Sequence, residues 1–476
     1  MKIKIQRISW SPEIVFAILA LCFGIYFVFA TPTFWGIDES THFLRAYQIS
    51  EGEIKPVQIG NTFGGIVPVN LQTLRLRSGH DLGFVFPIAQ TVTVRDDFKH
   101  DPVYQKLTNQ PVSKKKSFID ISSAEIYSPL AYLPSVVTIR LIGWMHPSIR
   151  LLVDACRIAS LLVYIGIIVL ALRVLAFTRI KWLVFCIALL PMTLYQASII
   201  TADTNLNALC LLSFALIVRG YMKRSPLKKW ELAALLIAAA SVPAIKSNYL
   251  LLVLPLAFLP GINYRRIKIP TWSVRVIIVL ATIALGALWL HVSGRVAHEL
   301  EEAVVSGHPV NARAQLHFIA HKPFSYLNIL DNTFMLNQSN YYIQAVGFLG
   351  WNYVEMPLTT VIISYLLLFM ASIFKDNQSK YNISNKLAWA SIGIAALAIL
   401  GIMTAFYVGY DGVYTPYILG VQGRYFIPIL AFVFYGVGKL LPVRLTLSDR
   451  QATALFAAGS SLCLVVAAVY YGLATY

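Results

Sequence analysis

The residues best suited to chemistry lie in one short stretch, 32–47, directly after the first long apolar run. Asp38 and Glu39 are adjacent carboxylates at the point where the chain leaves a predicted membrane span. Ionisable groups beside hydrocarbon are costly to hold and therefore mark candidate functional sites. If a helix begins at Asp38, then Asp38, His42 and Arg45 lie on one of its faces, at i, i+4 and i+7. The alternative is that Asp38 only caps that helix, which aspartate does well.

Two cations far along the chain are candidates for binding phosphate at the outer face of a membrane. Lys246 lies between two short apolar stretches, and Arg424 follows Gly423, which permits close approach of a ligand. The planar fork of an arginine matches phosphate oxygens well. The alternative for such a cation is that it only extends its charge to the membrane surface. Asp203 is expected to cap a helix and to pair with Asn207 one turn further on.

The composition predicts an integral membrane protein. Of its 476 residues, 57% are hydrophobic and 13% are charged. Apolar runs of about 20 residues recur along the chain, which predicts a polytopic all-α membrane protein. The net charge is +17, but the lysines and arginines cluster in short connections, as topology signals do, so we expect no nucleic-acid partner. The five cysteines lie in or beside apolar segments, which predicts neither a disulfide framework nor a metal cluster.

Eleven membrane spans are predicted, with the N-terminus on the cytoplasmic side, because every second connection is basic. The expected organisation is a first span (1–31), a first outer loop with interfacial helices (32–150), spans two to seven (151–292), a second outer loop (293–356) and spans eight to eleven (357–476). The expected spans are 12–31, 152–173, 182–200, 204–221, 230–244, 248–262, 271–292, 357–374, 387–409, 425–441 and 452–474. The stretch 128–144, with two prolines and Arg140, predicts an interfacial or re-entrant helix instead.

This topology collects unusual polar residues on the outer side of the membrane, and the clustering is the signal rather than any one residue. They are Asp38, Glu39, His42, Arg45, Asp154, Arg157, Asp203, Asn207, Lys246, Asp411 and Arg424. The chain contains no phosphate-binding loop, no dinucleotide fingerprint, no HExxH and no CxxC, which argues against an ATP-driven pump, a dinucleotide enzyme and a common zinc protease. No repeat relates the two halves, which disfavours a transporter built from inverted repeats.

Several motifs, in order along most of the chain, carry a resemblance to known proteins. They are Asp-Glu-x-x-His-Phe-x-Arg-Ala-Tyr at 38–47, Tyr-x-Pro-Leu-Ala-Tyr-Leu-Pro at 127–134, Gln-Ala-Ser-x-x-x-Ala-Asp at 196–203, Lys246 with Tyr249, Gly-x-Leu-Gly-Trp at 347–351 and Gly-Arg-Tyr-Phe-Ile-Pro at 423–428. The set resembles a bacterial family of predicted polytopic membrane proteins with no assigned function. More broadly, a first helix followed by an acidic pair and a large outer loop resembles the GT-C membrane glycosyltransferases.

The GT-C resemblance implies a fold, an activity and roles for particular residues. Such enzymes transfer a sugar from a polyprenyl-phosphate donor to a glycan acceptor at the non-cytoplasmic face, and inversion at the sugar carbon is expected. Asp38 matches the position of their catalytic acidic residue and Glu39 is expected to share its role, and which of the two acts as the base stays open. Lys246 and Arg424 would hold the donor phosphate. The supporting residues would be His42, Arg45, Arg157, Asp203, Tyr249 and Tyr425.

No cofactor is expected, since the sequence offers no clear second ligand for the divalent metal that some GT-C enzymes bind. Two other functions stay open. One is a transporter or flippase of lipid-linked glycans, which would use the same cationic cavity without a carboxylate base. The other is a polymerase or ligase of surface polysaccharide. The localisation expected in each case is the bacterial inner membrane, with the active site facing the periplasm or the outside.

Overall fold

The computed structural model describes residues 11–60, 62–80, 101–223, 225–300, 304–305, 308–350, 353–375 and 385–475. Helices account for 74% of them. The α-helices, in chain order, are α1 (Pro12–Ala30), α2 (Glu39–Ser50), α3 (Val69–His80), α4 (Pro102–Asn109), α5 (Ser122–Glu125), α6 (Leu133–Ile142), α7 (Ile149–Val174), α8 (Lys181–Ala188), α9 (Pro191–Ala197), α10 (Asp203–Met222), α11 (Lys229–Ile245), α12 (Leu250–Val253), α13 (Thr271–Leu300), α14 (Ala312–His321), α15 (Pro323–Gly347), α16 (Leu358–Ser372), α17 (Asn385–Gly409), α18 (Ile427–Leu440) and α19 (Asp449–Thr475).

Within the described residues, six helices are long and apolar enough to cross a membrane: α1, α7, α10, α13, α17 and α19. A span needs about 20 apolar residues, so these six confirm a multi-pass membrane protein. The other five predicted spans are helical but shorter or interrupted. Pro191 separates α8 from α9, and α12 continues into a 3-10 turn, Leu254–Phe258, that contains Pro255. The count of eleven spans therefore stays a prediction.

Helix α10 is the centre of the bundle. Almost the whole helix is buried inside the protein, 94% of its most apolar window, and it packs against α7, α11 and α18. Its two ends carry different polar clusters. Asp203 lies at its N-terminal end, and Arg219 lies near its C-terminal end, where Glu231 and Asn263 surround it. We call the end of the bundle that contains Asp203 the site end.

The segment after α1 also contains a small three-stranded sheet. Strands β1 (Val57–Ile59), β2 (Thr62–Pro68) and β3 (Lys116–Asp120) form it, in that order and antiparallel. Further along the chain lie short strands, β4 (Val304–Val305) with β5 (His308–Pro309) and β6 (Phe348–Leu349) with β7 (Val354–Glu355).

The stretch predicted as interfacial, 128–144, forms a short broken helix. It consists of a 3-10 turn (Pro129–Tyr132), α6 and a second 3-10 turn (Gly143–Met145). These elements pack against α2 and α7. Three residues spaced four apart on α6, Leu133, Val137 and Leu141, are exposed and form an apolar stripe. The stretch belongs to the shorter apolar helices, of 10–17 residues, and is not one of the six candidate spans.

Candidate functional site

A buried ion pair holds the turn between α1 and α2. Arg157 of α7 donates from Nε to Glu39 Oε1 (2.7 Å) and from Nη2 to Glu39 Oε2 (2.6 Å), and both side chains are fully buried. Glu39 also accepts the backbone N–H groups of Gly36 and Ile200, each at 3.2 Å. Both oxygens of Glu39 are therefore committed. Glu39, which is expected to share a catalytic role, is thus buried in an ion pair and does not face solvent.

The same arginine closes the end of α1. Its Nη1 donates to the carbonyl oxygens of Val28 (2.9 Å) and Thr31 (2.7 Å), and its Nη2 donates to Pro32 (2.9 Å). The last carbonyls of a helix lack helical partners, and a buried arginine is one of the groups that can satisfy them. Arg157, expected to support the chemistry, instead fixes the backbone from which Asp38 projects.

Asp38 takes the left-handed backbone conformation, with φ 56° and ψ 9°. This conformation is uncommon for residues other than glycine and is often found at functional sites. Although Asp38 precedes the first residue of α2, its side chain makes no capping hydrogen bond. It accepts a hydrogen bond from Nη2 of Arg424 at 3.1 Å and is 45% exposed. The Asp38 side chain therefore does not cap α2, in contrast to the alternative interpretation of this residue.

Arg424 lies on the 3-10 turn Gly423–Phe426 and is 6% exposed. Its guanidinium lies 5.3 Å from the ring centroid of Tyr425. Its Nε is buried and has no hydrogen-bond partner within the described part of the chain. A Cβ on Gly423 would lie 2.0 Å from the carbonyl oxygen of Tyr341. This glycine therefore allows close packing on α15, which corrects the expectation that it makes room for a ligand.

Lys246 pairs with Asp203. Asp203 is expected to cap a helix, but its side chain binds Lys246 instead. Nζ of Lys246 donates to Oδ1 of Asp203, and the side chains are 10% and 9% exposed. Burial disfavours the ammonium charge, but the neighbouring carboxylate outweighs it and raises the pKa of Lys246 above its usual value. The other oxygen of Asp203 accepts from Gln196 (3.2 Å), which in turn accepts from Asn207 (3.0 Å). Asn207 thus reaches Asp203 through Gln196 rather than directly.

Aromatic rings join the two ion pairs into one cluster. Nζ of Lys246 lies 5.1 Å from the ring centroid of Tyr127 and 5.0 Å from that of Tyr425. These separations are within the range of cation–π attraction. Because Arg424 contacts the same Tyr425 ring, this ring lies between both cations. The hydroxyl of Tyr249 donates to the carbonyl of Tyr425 at 2.8 Å and fixes that backbone.

His42 lies one turn after Asp38, as its spacing predicts, and is buried. Its Nδ1 forms a 2.6 Å hydrogen bond with the hydroxyl of Tyr132. The ring centroids of Tyr127 and Tyr132 each lie 5.6 Å from the imidazole. Burial lowers the pKa of His42 to about 4, against the opposing effect of the Asp38 and Asp203 carboxylates. His42 is therefore a neutral side chain at physiological pH.

Two further predicted residues, besides the Arg157–Glu39 pair, lie outside this cluster. Arg45 points to a separate buried group, where it donates to Gln48 and to the carbonyl of Ile54 (2.8 Å) and lies 3.6 Å from Glu125. It therefore ties α2 to the neighbouring loop and does not support Asp38. Asp411, expected on the same side of the membrane, is fully buried and accepts the backbone N–H of Leu419 with both oxygens.

Sequence reasoning missed three members of the cluster: Tyr127, Tyr132 and Gln196. Each lies inside a motif of the family resemblance, at 127–134 or 196–203, and that was the available signal. Their roles depend on contacts with residues far along the chain, which a motif does not reveal. Trp351, the last residue of another motif, lies outside the described residues.

The cluster has a balanced charge. Asp38 and Asp203 contribute two negative charges, Lys246 and Arg424 contribute two positive charges, and His42 is neutral. The half-exposed carboxylate can accept a proton, and the cations can hold an anion in surroundings of low dielectric constant. Where the chain is described, no group of three or more His, Cys, Asp or Glu side chains is arranged to hold a metal ion.

Fold and site together define a multi-pass helical membrane protein with a polar cluster at one end of its bundle. The chain belongs to the family described as predicted membrane protein (DUF2142), which matches residues 21–433. That match contains every member of the cluster. No curated protein and no solved structure matches the chain.

Proposed function

We propose that this chain is a membrane glycosyltransferase of the GT-C type. It transfers a sugar from a polyprenyl-phosphate donor to a glycan or lipid-linked acceptor, with inversion at the sugar carbon. One observation carries the proposal: the half-exposed Asp38 carboxylate lies 3.1 Å from the buried guanidinium of Arg424, whose Nε has no partner within the described residues. A group that can accept a proton, Asp38, and a group that can bind phosphate, Arg424, thus lie within reach of one bound substrate.

Asp38 is the base in this proposal. It takes the proton of an acceptor hydroxyl as the hydroxyl oxygen attacks the anomeric carbon of the donor sugar. The bond between that carbon and the phosphate oxygen breaks, and polyprenyl phosphate leaves with the bonding electron pair. The proton then rests on Asp38. A general base of this kind contributes roughly 100- to 10,000-fold to the rate.

Arg424 and Lys246 stabilise the charge that develops on the leaving phosphate. Preorganised cations at a dry site are effective in this task because they need no reorganisation during the reaction. Asp203 and the rings of Tyr127 and Tyr425 hold Lys246 in place. His42, neutral and bonded to Tyr132, helps to form the wall beside Asp38.

We place the site end of the bundle at the outer face of the bacterial cytoplasmic membrane, with the N-terminus in the cytoplasm. The support is the alternation of basic and weakly charged connections. The exposed stripe of Leu133, Val137 and Leu141 beside α2 suits contact with the bilayer, from which a lipid-linked donor arrives.

The test is turnover by the purified protein in lipid nanodiscs. The donors are polyprenyl phosphates carrying glucose, galactose, mannose or arabinose, and the readout is release of polyprenyl phosphate. Asp38→Asn keeps the shape of the side chain and removes its basicity, so turnover should fall by about 100-fold or more. The matched control is Asp331→Asn, which removes an exposed carboxylate on α15 and should leave turnover unchanged.

A well-folded Asp38→Asn protein with wild-type turnover would overturn the base assignment. A wild-type protein that moves these lipids across the bilayer without releasing polyprenyl phosphate would favour the flippase over the enzyme. A protein that joins lipid-linked oligosaccharides, but uses no single-sugar donor, would be a polysaccharide polymerase or ligase.

A further inference from the structure

The two ion pairs of the cluster are not equivalent. Lys246 and Asp203 are both buried, and Asp203 is held further by Gln196. Asp38 is 45% exposed, and its side chain is held by a single hydrogen bond from Arg424, within the described residues. A half-exposed ion pair contributes little to stability and exchanges easily, whereas opening a buried one is strongly unfavourable. Of the two cations, Arg424 is therefore the one that can change partners.

The guanidinium of Arg424 uses only part of its binding capacity. Its hydrogen bonds to Asp38 (3.1 Å) and to the hydroxyl of Tyr425 (3.5 Å) both leave from Nη2, and Nε is unpaired among the residues described. An arginine binds a carboxylate or phosphate best with two parallel N–H groups. Asp38 contributes one such bond, so a phosphate that engages Nε together with Nη2 would bind better than the carboxylate.

We propose that Arg424 exchanges partners when a phosphate-bearing ligand binds. The phosphate displaces the Asp38 carboxylate from the guanidinium, and this displacement frees Asp38 to take a proton. Lys246 does not exchange partners: it stays paired with Asp203 while its charge acts on the phosphate. The inference rests on the proposed function for the identity of the ligand, but the exchange itself requires only a phosphate group.

The exchange makes Asp38 a competitor of the substrate phosphate as well as its base. Removing the competitor strengthens phosphate binding, while removing the base weakens turnover. The backbone beside Asp38 is bound by Arg157, which donates to Pro32 and pairs with Glu39, and these contacts do not involve Arg424. The turn therefore keeps its shape when the side chain loses Arg424.

The experiment measures the dissociation constant of farnesyl phosphate, with farnesol as the uncharged comparison, for the full-length protein in nanodiscs. Asp38→Asn should bind farnesyl phosphate about fivefold more tightly than wild type, the scale of one half-exposed ion pair. Farnesol binding should not change. In the Arg424→Lys background, which keeps the charge and loses the fork, Asp38→Asn should give no tightening. Inorganic phosphate as a competitor distinguishes recognition of the phosphate group alone from recognition of the lipid phosphate.

Asp203→Asn is the control for general electrostatics, since it also removes a negative charge near the ligand. Equal tightening by Asp38→Asn and Asp203→Asn, or tightening that persists with Arg424→Lys, would overturn the exchange. Arg424→Gln is the second variant if Arg424→Lys does not fold. Reduced turnover of Asp38→Asn with an unchanged dissociation constant would refute the exchange and leave the proposed function standing. If Asp38→Asn binds farnesyl phosphate more tightly but the wild type transfers no sugar, the exchange stands and the proposed function is refuted.

Discussion

Neutralising the adjacent acids Asp38 and Glu39 should have different effects: the loss of the Glu39 charge should lower stability, and the loss of the Asp38 charge should lower turnover. Each oxygen of Glu39 receives two N–H groups: Oε1 from Arg157 and Ile200, and Oε2 from Arg157 and Gly36. In Glu39→Gln, one oxygen becomes an NH₂ group, which then faces two donors whichever way the amide turns. The variant also leaves the fully buried charge of Arg157 without its main counter-ion.

The expected loss of stability follows from that geometry. Removing one partner of a buried ion pair costs about 3–5 kcal/mol, because the remaining charge is buried and uncompensated. Asp154, 3.2 Å from Arg157, offers partial compensation, so we expect the lower part of this range, about 3 kcal/mol. For Asp38→Asn, the lost pair is half exposed, and the expected change is about 0–1 kcal/mol.

The assay is equilibrium unfolding in mixed micelles of mild detergent and dodecyl sulfate, followed by near-ultraviolet circular dichroism, for wild type, Glu39→Gln and Asp38→Asn. Glu39→Gln should unfold at a clearly lower denaturant fraction, and Asp38→Asn should follow wild type. Glu39→Gln protein that remains folded should retain most of its turnover. Unfolding of Glu39→Gln at the wild-type midpoint, together with abolished turnover, would refute the reasoning and make Glu39 the chemical residue.

Two further predictions concern protonation and topology. Because the pKa of folded His42 is about 4 and the usual value is 6.5, the unfolded chain binds more protons between these values, and stability falls as the pH drops through that window. His42→Asn should lack this part of the pH dependence, and parallel stability profiles for both proteins would refute the effect. In a cysteine-free background, Lys106→Cys and Asn328→Cys should react with an impermeant maleimide added to intact cells, and Lys228→Cys should not. External labelling of Lys228→Cys would invert the assumed topology.

The helical framework was predictable because it depends on local signals. Long apolar runs are properties of the local sequence, and the predicted limits of α1, α7, α10 and α17 differ from the observed ones by at most three residues. The interruptions were harder to predict. The predicted span 182–200 continues through Pro191, but the structure breaks it there into α8 and α9, because a proline removes a helical hydrogen bond and clashes with the preceding turn.

The composition of the site was predictable, but its pairing was not. The sequence indicated that Asp38, Lys246, Asp203 and Arg424 lie at one end of the bundle, and the structure brings them together. Which acid meets which cation depends on tertiary packing: Asp38 and Arg424 are 386 residues apart, and Lys246 and Asp203 are 43 apart. A charged residue in a sequence shows what it can bind and gives no information on its distant partner.

The different environments of Asp38 and Glu39 have a simple geometric cause. Helix α2 begins between them, so Asp38 has the left-handed backbone of the turn and Glu39 has the helical backbone of the first residue. Side chains of consecutive helical residues already point about 100° apart, and the turn at Asp38 adds a further change of direction. One carboxylate is thereby directed into the bundle toward Arg157, and its neighbour is directed toward Arg424 and solvent. The buried pair can hold the turn while the half-exposed Asp38 keeps its contacts with Arg424 and solvent.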